Sequence, residues 1–419
     1  MTLKNNVQLI VYPDSLGGDL AELHYVLRRY LSRAIGGVHL LPFYPSSADR
    51  GFAPLTYDEV DPVFGTWRDI DLIGKEFDLI QRADGSKEKV WCTFDYEQID
   101  LDWESPKTRE VMRRYLIQLS RTRAKMIRMD AFAYSTVKIG TSCFFLEPQV
   151  WQLLQWLQDF VSPFGVEILP EVHEHYSYHQ KISSRGYWTY DFSLPMLVLH
   201  TLYHHTSRLL KQWLAICPRK QITTLDTHDG IGVVDVLDLF SPEEIQRTLD
   251  GLDEKGANTR KIFSGPEYRN LDIYQVNCTY YSALACNDDS YLAARAIQFF
   301  SPGIPQVYYV GLLAGENDIE LAQQTKNGRD VNRHNYTLDE IAVEIQKPVV
   351  QRLLRLMEFR STCRAFDGRF AIEDAPDDQI KLSWTQLPHR AVLHIDLRTY
   401  TTRIAYYDEE KEAMAEFLA

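Results

Sequence analysis

Between residues 7 and 360 the chain alternates short apolar runs of strand length with amphipathic helical stripes, and this alternation limits the fold more than any other feature. Val7–Tyr12 reads as a buried strand, Asp19–Leu31 as a helix, and Gly37–Pro45 as a second strand closed by prolines. Thr66–Lys75 follows as a helix. Phe77–Ile80 opens a third strand that stops after four residues in the polar run Gln81–Lys89. Further strands are expected at Met126–Phe132, Val166–Val172, Thr189–Leu194, Ile222–Asp226 and Gln306–Val310. Helical stripes intervene, with Val111, Tyr115 and Leu119 on one face and with Val150, Leu153, Leu154, Leu157 and Val161 on another. Met196–Ile216, Ser290–Phe300 and Pro348–Arg360 continue the series.

Repeated strand-then-helix units demand a parallel sheet, and this many of them close it into a barrel. After Arg360 the period changes: Gln379–Gln386, Ala391–Leu397 and Thr401–Tyr407 alternate apolar with polar residues. The expected class is therefore α/β. A (β/α)8-type TIM barrel with a truncated third strand spans 1–358, and a small antiparallel β-domain spans 359–419.

A net charge of −13 argues against a nucleic-acid or anionic-membrane partner, each of which needs a basic face. No apolar run reaches membrane-span length, and Met1–Gln8 carries no secretory pattern, so a cytoplasmic protein is expected. Cys92, Cys143, Cys217, Cys278, Cys286 and Cys363 show no metal-ligand spacing and read as reduced thiols. His204 and His205 read as surface residues of a helix.

Catalytic side chains of such barrels come from the C-terminal ends of several strands. Those ends hold Asp49, then Arg128 and Asp130, then Glu171 and His173, and finally Asp226-Thr227-His228-Asp229-Gly230. Arg128 and Asp130, two residues apart, project together, and the arginine favours an ionised carboxylate; alone, the two also fit an ordinary buried ion pair. Carboxylates at three apolar strand ends are seldom placed there for stability. With no metal motif, the set points to glycoside chemistry: one carboxylate attacks, a second protonates the leaving oxygen and a third stabilises the cationic transition state. Glu171, between Pro170 and Val172, is the candidate half-buried acid.

Ile127–Tyr134, Glu167–His173 and Leu225–Gly230 resemble three signature strand ends of the α-amylase-type retaining glycosidases, and Gly51–Pro54 with Val60–Gly65 resembles the loop after their second strand. Gly37–Pro45, Gly140–Cys143, Asp226–Val233, Asn270–Leu284, Pro302–Asp318 and Asn327–His334 narrow the resemblance to the sucrose phosphorylase branch. The resemblance implies Asp130 as nucleophile, Glu171 as general acid/base and Asp229 as transition-state stabiliser. It implies Asp49, Phe52, Arg128, His228 and Arg329 as glucosyl contacts, and Tyr134, His173, Asp272, Tyr274 and Gln275 as the acceptor side. Phe52 also reads as loop packing, and Arg329 as a loop-bracing ion pair. The implied reaction turns sucrose and inorganic phosphate into α-glucose 1-phosphate and fructose through a glucosyl-aspartate. No metal or organic cofactor is implied, phosphate being a substrate, and a homodimer is the common assembly of such folds.

Members of the branch continue the third strand into an Asn-His pair and an inserted loop domain. Here Phe77–Ile80 runs into Gln81–Lys89 and then Val90–Trp103, which resembles the exit from that insertion. Two exposed sheet edges and activity that is weak or shifted towards hydrolysis are the expected consequences. The alternatives are a related α-glucoside phosphorylase, hydrolase or transglucosidase of the same fold, or a catalytically impaired sugar-binding descendant.

Overall fold

A computed structural model describes residues 3–76, 78–81, 100–138, 140–255 and 275–417. Eight parallel strands form one sheet: β1 (Gln8–Val11), β2 (Gly37–Leu40), β3 (Asp78–Gln81), β4 (Met126–Met129), β5 (Glu167–Pro170), β6 (Thr189–Asp191), β7 (Gln221–Thr223) and β8 (Ile304–Tyr308). The ladder runs β5-β4-β3-β2-β1-β8-β7-β6. Leu9 at its centre registers with Val38 on one side and Val307 on the other. Met126, Leu169, Tyr190, Phe192, Ile222 and Ile304 pack in one buried cluster. That cluster brings β4 and β5, at one end of the ladder, against β6 and β7 at the other, as barrel closure requires.

The helices fill the outer layer for the reason their spacing suggests. Gln149–Val161 buries Val150, Trp151, Leu153, Leu154, Leu157 and Val161. Each large apolar side chain so enclosed contributes about 1.5–3 kcal/mol before entropy is counted. Among the described residues, no helix is long and apolar enough to cross a membrane.

Three expectations are corrected. β3 does not leave its neighbours unpaired: Val38 registers with Leu79 on one side, and Ile80 with Met126 on the other. Its four residues match the lengths of β1, β2, β4 and β5, so the short strand fills its place in the ladder. The span Met196–Ile216 is two helices, Leu194–His204 and Arg208–Ile216, because His205 adopts a left-handed φ of 51° and ends the first. The break is where the C-terminal sheet docks: His205 Nδ1 bonds Leu397 O at 2.6 Å, and Ser207 N donates to Asp377 O at 2.7 Å. His204 and His205 are accordingly half-buried and not surface residues.

After the helix Pro348–Thr362 come β9 (Arg369–Ile372), β10 (Gln379–Gln386), β11 (His389–Asp396), β12 (Thr402–Asp408) and β13 (Ala413–Phe417), an antiparallel meander in chain order. Ile380, Leu382, Leu393, Ile395 and Ile404 make its buried face, and Trp384 Nε1 donates to Phe300 O at 2.8 Å.

Candidate active site

β4 delivers Arg128 buried, with a side chain 3% exposed, and Asp130 just past its end, 24% exposed. Arg128 Nη1 donates to Asp130 Oδ1, and its Nη2 stands 3.6 Å from Glu171 Oε1. Ala131 then turns left-handed at φ 46°, and its N–H donates to Glu171 Oε2 at 2.8 Å. A left-handed alanine costs on the order of 1 kcal/mol, and such strain gathers where a site needs a fixed group. Glu171 is buried and not half-buried, its backbone N–H held by Met129 O at 2.8 Å. One guanidinium thus faces both carboxylates, and one backbone amide orients the second.

The loop after β7 brings Asp229 to the same centre. Burial alone would raise its pKa, but the carboxyl is held well below the ordinary carboxylate range by surrounding positive charge. Arg329 Nη1 is 3.5 Å from Asp229 Oδ1, Arg333 Nη2 is 4.0 Å from it, and Arg128 adds its field. His228 Nε2 lies 3.4 Å from Asp229 Oδ2, yet burial keeps that ring neutral, so the arginines hold the charge. Asp49 joins them from its left-handed turn at φ 48°, 3.7 Å from both Arg329 Nη1 and Arg333 Nη1. Gly51 makes that turn possible: at φ 100°, a Cβ there would meet Pro42 O at 2.9 Å. Phe52 stacks on His228 at 4.8 Å and 3°, and Tyr12 meets both rings edge-on.

Of the residues expected on the acceptor side, His173 bonds Asp235 Oδ2 through Nδ1 at 2.9 Å, and Tyr134 packs edge-on against Phe144. Gln275 Oε1 accepts from Gly230 N at 3.2 Å and so braces the loop that carries Asp229. Asp272 and Tyr274 lie outside the described residues. Arg333, Tyr12 and Asp235 contact the candidate residues and were not singled out by sequence. Arg333 was legible in the same Gly-Arg-Asp-Val-Asn-Arg run as Arg329, and Asp235 in its valine surroundings.

A parallel barrel with carboxylates gathered beyond β4, β5 and β7 defines an enzyme of the α-amylase type. Solved α-amylases share its fold; that from H. orenii superposes with a TM-score of 0.66 at 14% identity, covering 94% of this chain and 90% of that one. No protein-family model matches the chain. It is 44% identical to the sucrose 6(F)-phosphate phosphorylase of Thermoanaerobacterium thermosaccharolyticum, over 98% of this chain and 99% of that protein. It is 42% identical to the sucrose phosphorylase of Streptococcus mutans, covering 98% and 99%, and 42% identical to the glucosylglycerol phosphorylase of Marinobacter adhaerens, covering 98% of each. The crystal structure of sucrose 6F-phosphate phosphorylase from Thermoanaerobacter thermosaccharolyticum has a TM-score of 0.93 at 42% identity, covering 100% of this chain and 98% of that one. The chain belongs to the sucrose phosphorylase family.

These matches run over 471 to 483 positions, against 419 residues here, so the relatives carry residues for which this chain has no counterpart.

Proposed function

We propose that the chain catalyses reversible phosphorolysis of sucrose to α-glucose 1-phosphate and fructose by double displacement with retention. The observation that carries this reading is the convergence of Asp130, Glu171 and Asp229 around the Arg128 guanidinium. Asp130 attacks the anomeric carbon while Glu171 protonates the departing fructosyl oxygen. A phosphate oxygen then attacks the glucosyl-Asp130 ester, and Glu171 takes back the proton. Asp229, kept anionic by Arg329 and Arg333, stabilises the oxocarbenium-like charge of both steps. Asp49, Phe52, Arg128, His228 and Arg329 hold the glucosyl unit; Tyr134, His173, Asp272, Tyr274 and Gln275 meet the acceptor. No cofactor enters. A catalytic barrel over 1–358 contains all of these residues, with the β-unit of 359–419 outside it.

A cytoplasmic enzyme fits the free thiols of Cys143, Cys217, Cys278, Cys286 and Cys363. Light scattering tests the homodimer. The deciding assay incubates sucrose with and without phosphate and scores glucose 1-phosphate and free glucose, with Asp130→Asn as control. Glucose 1-phosphate that needs both phosphate and Asp130 supports the reading; its absence from folded protein removes it. Sucrose 6(F)-phosphate and glucosylglycerol, donors named for relatives, are compared in parallel.

One observation favours a second reading, in which water competes strongly for the intermediate. The relatives carry residues for which this chain has no counterpart, the sequence alone leads one to expect the shortfall after β3, and a site with less cover admits water. Free glucose released at a rate indifferent to phosphate supports it.

A further inference from the structure

Asp235 lies on the turn Val234–Val236, beyond the loop that carries Asp229, and its side chain is 0% exposed. Its Oδ2 bonds His173 Nδ1 at 2.9 Å, and Ser193 Oγ donates to its backbone carbonyl at 2.8 Å. His179, on the helix Tyr176–Ser184, stands 3.8 Å from Oδ1 but bonds Val172 O at 2.9 Å through the same Nε2. The His173 ring is fixed in plane by stacking on Phe192 at 4.0 Å and 8°. Gly232 passes over the pair so closely that a Cβ would fall 2.0 Å from Asp235 Oδ2 and 2.7 Å from His173 Cε1. With Nδ1 committed to Asp235, the ring's Nε2 edge has no hydrogen-bond partner among the described residues, and the side chain keeps 11% exposure two residues past Glu171.

An enclosed carboxylate without a cation is costly, so the pair is an ion pair and His173 carries the proton. Burial works against that proton, but Asp235 outweighs it and holds the pKa up at about 9, with Glu171 and Asp229 adding to the effect. His179 is pushed down by burial and stays neutral, and Asp191, whose enclosed carboxyl is raised to about 7 chiefly by burial, also lies in the field of Asp235.

We infer that Asp235 is a positioning residue for acceptor choice: its carboxylate locks the His173 ring so that the Nε2–H edge receives an anionic acceptor, inorganic phosphate, in preference to water. The inference rests on the phosphorylase reading and goes beyond it by naming what selects phosphate. Water and phosphate attack the same glucosyl-enzyme through the same base. The ratio of glucose 1-phosphate to glucose therefore reports acceptor choice and not chemistry.

The test measures inorganic phosphate binding by calorimetry, and that product ratio from about pH 6 to about pH 10, in wild type, Asp235→Asn and His173→Gln. Loss of a charge-assisted contact predicts phosphate binding weaker by about tenfold or more in Asp235→Asn. The product ratio falls in step, and the pH at which it declines moves from about 9 towards neutrality. A merely structural role would lower both products together and leave the ratio and its pH midpoint in place. Unchanged phosphate binding and an unchanged midpoint in folded Asp235→Asn overturn the inference. If that variant does not fold, an unchanged ratio in His173→Gln overturns it. Wild type that binds phosphate yet makes no glucose 1-phosphate overturns the phosphorylase reading instead.

Discussion

Arg128 Nη2 stands 3.6 Å from Glu171 Oε1 inside the barrel mouth, the arginine's side chain only 3% exposed. The same guanidinium bonds Asp130, so its removal leaves two carboxylates at the centre without their shared cation. Arg128→Leu is expected to cost about 3–5 kcal/mol in urea unfolding and at least ~10²-fold in kcat. Arg128→Lys keeps the charge but not the fork, and should recover stability more than rate.

Asp229 gives an acid-side prediction. Its folded pKa lies below the unfolded value of about 3.9, so its stabilisation is complete above that pH and is lost as pH falls through the folded value. The urea midpoint of wild type should drop more steeply below about pH 4 than that of Asp229→Asn, and the two should run parallel at neutral pH. A steeper acid limb in the variant would refute the assignment.

His173 gives the alkaline counterpart. Its folded pKa of about 9 lies above the unfolded value of about 6.5. The stabilisation is therefore complete below about pH 6.5 and is lost as pH rises through about 9. Thermal melts of wild type should decline across that window, and those of His173→Gln should be flatter there.

Gly232→Ala would place a methyl 2.0 Å from Asp235 Oδ2 and 2.7 Å from His173 Cε1. Neither group can retreat, because one is enclosed and the other is stacked on Phe192. The expected cost is about 1–3 kcal/mol of stability, with KM for phosphate raised more than kcat is lowered.

The strand ends were readable because each apolar run stops at a charged residue, and Arg128, Asp130 and Glu171 stand where that pattern puts them. Asp226 and Asp229, three residues apart in one run, are not separated by periodicity, and only the family resemblance singled out Asp229. The fold sends Asp226 to an enclosed ion pair with Arg295 at 2.6 Å and Asp229 to the site. Arg333, though it shares the run of Arg329, was passed over because a terminal arginine of a polar loop looks solvated, whereas its side chain is wholly buried between Asp49 and Asp229. The helix break at His205 depends on docking of Leu397 and Asp377, nearly two hundred residues away, and no local periodicity encodes that. Nor did the short third run reveal its pairing: backbone ladders on both flanks hold β3 whatever follows it.

In the proposed reaction Asp130 carries the glucosyl unit and phosphate removes it. Glu171→Gln, given a glucosyl donor whose leaving group needs no protonation, should accumulate the intermediate because the second step lacks its base. Acid quench and peptide mapping by mass spectrometry should find one glucosyl unit on the peptide that holds Asp130, and wild type chased with phosphate should release it as α-glucose 1-phosphate. A folded variant that turns the donor over with no adduct, or with an adduct on any other residue, would contradict the account.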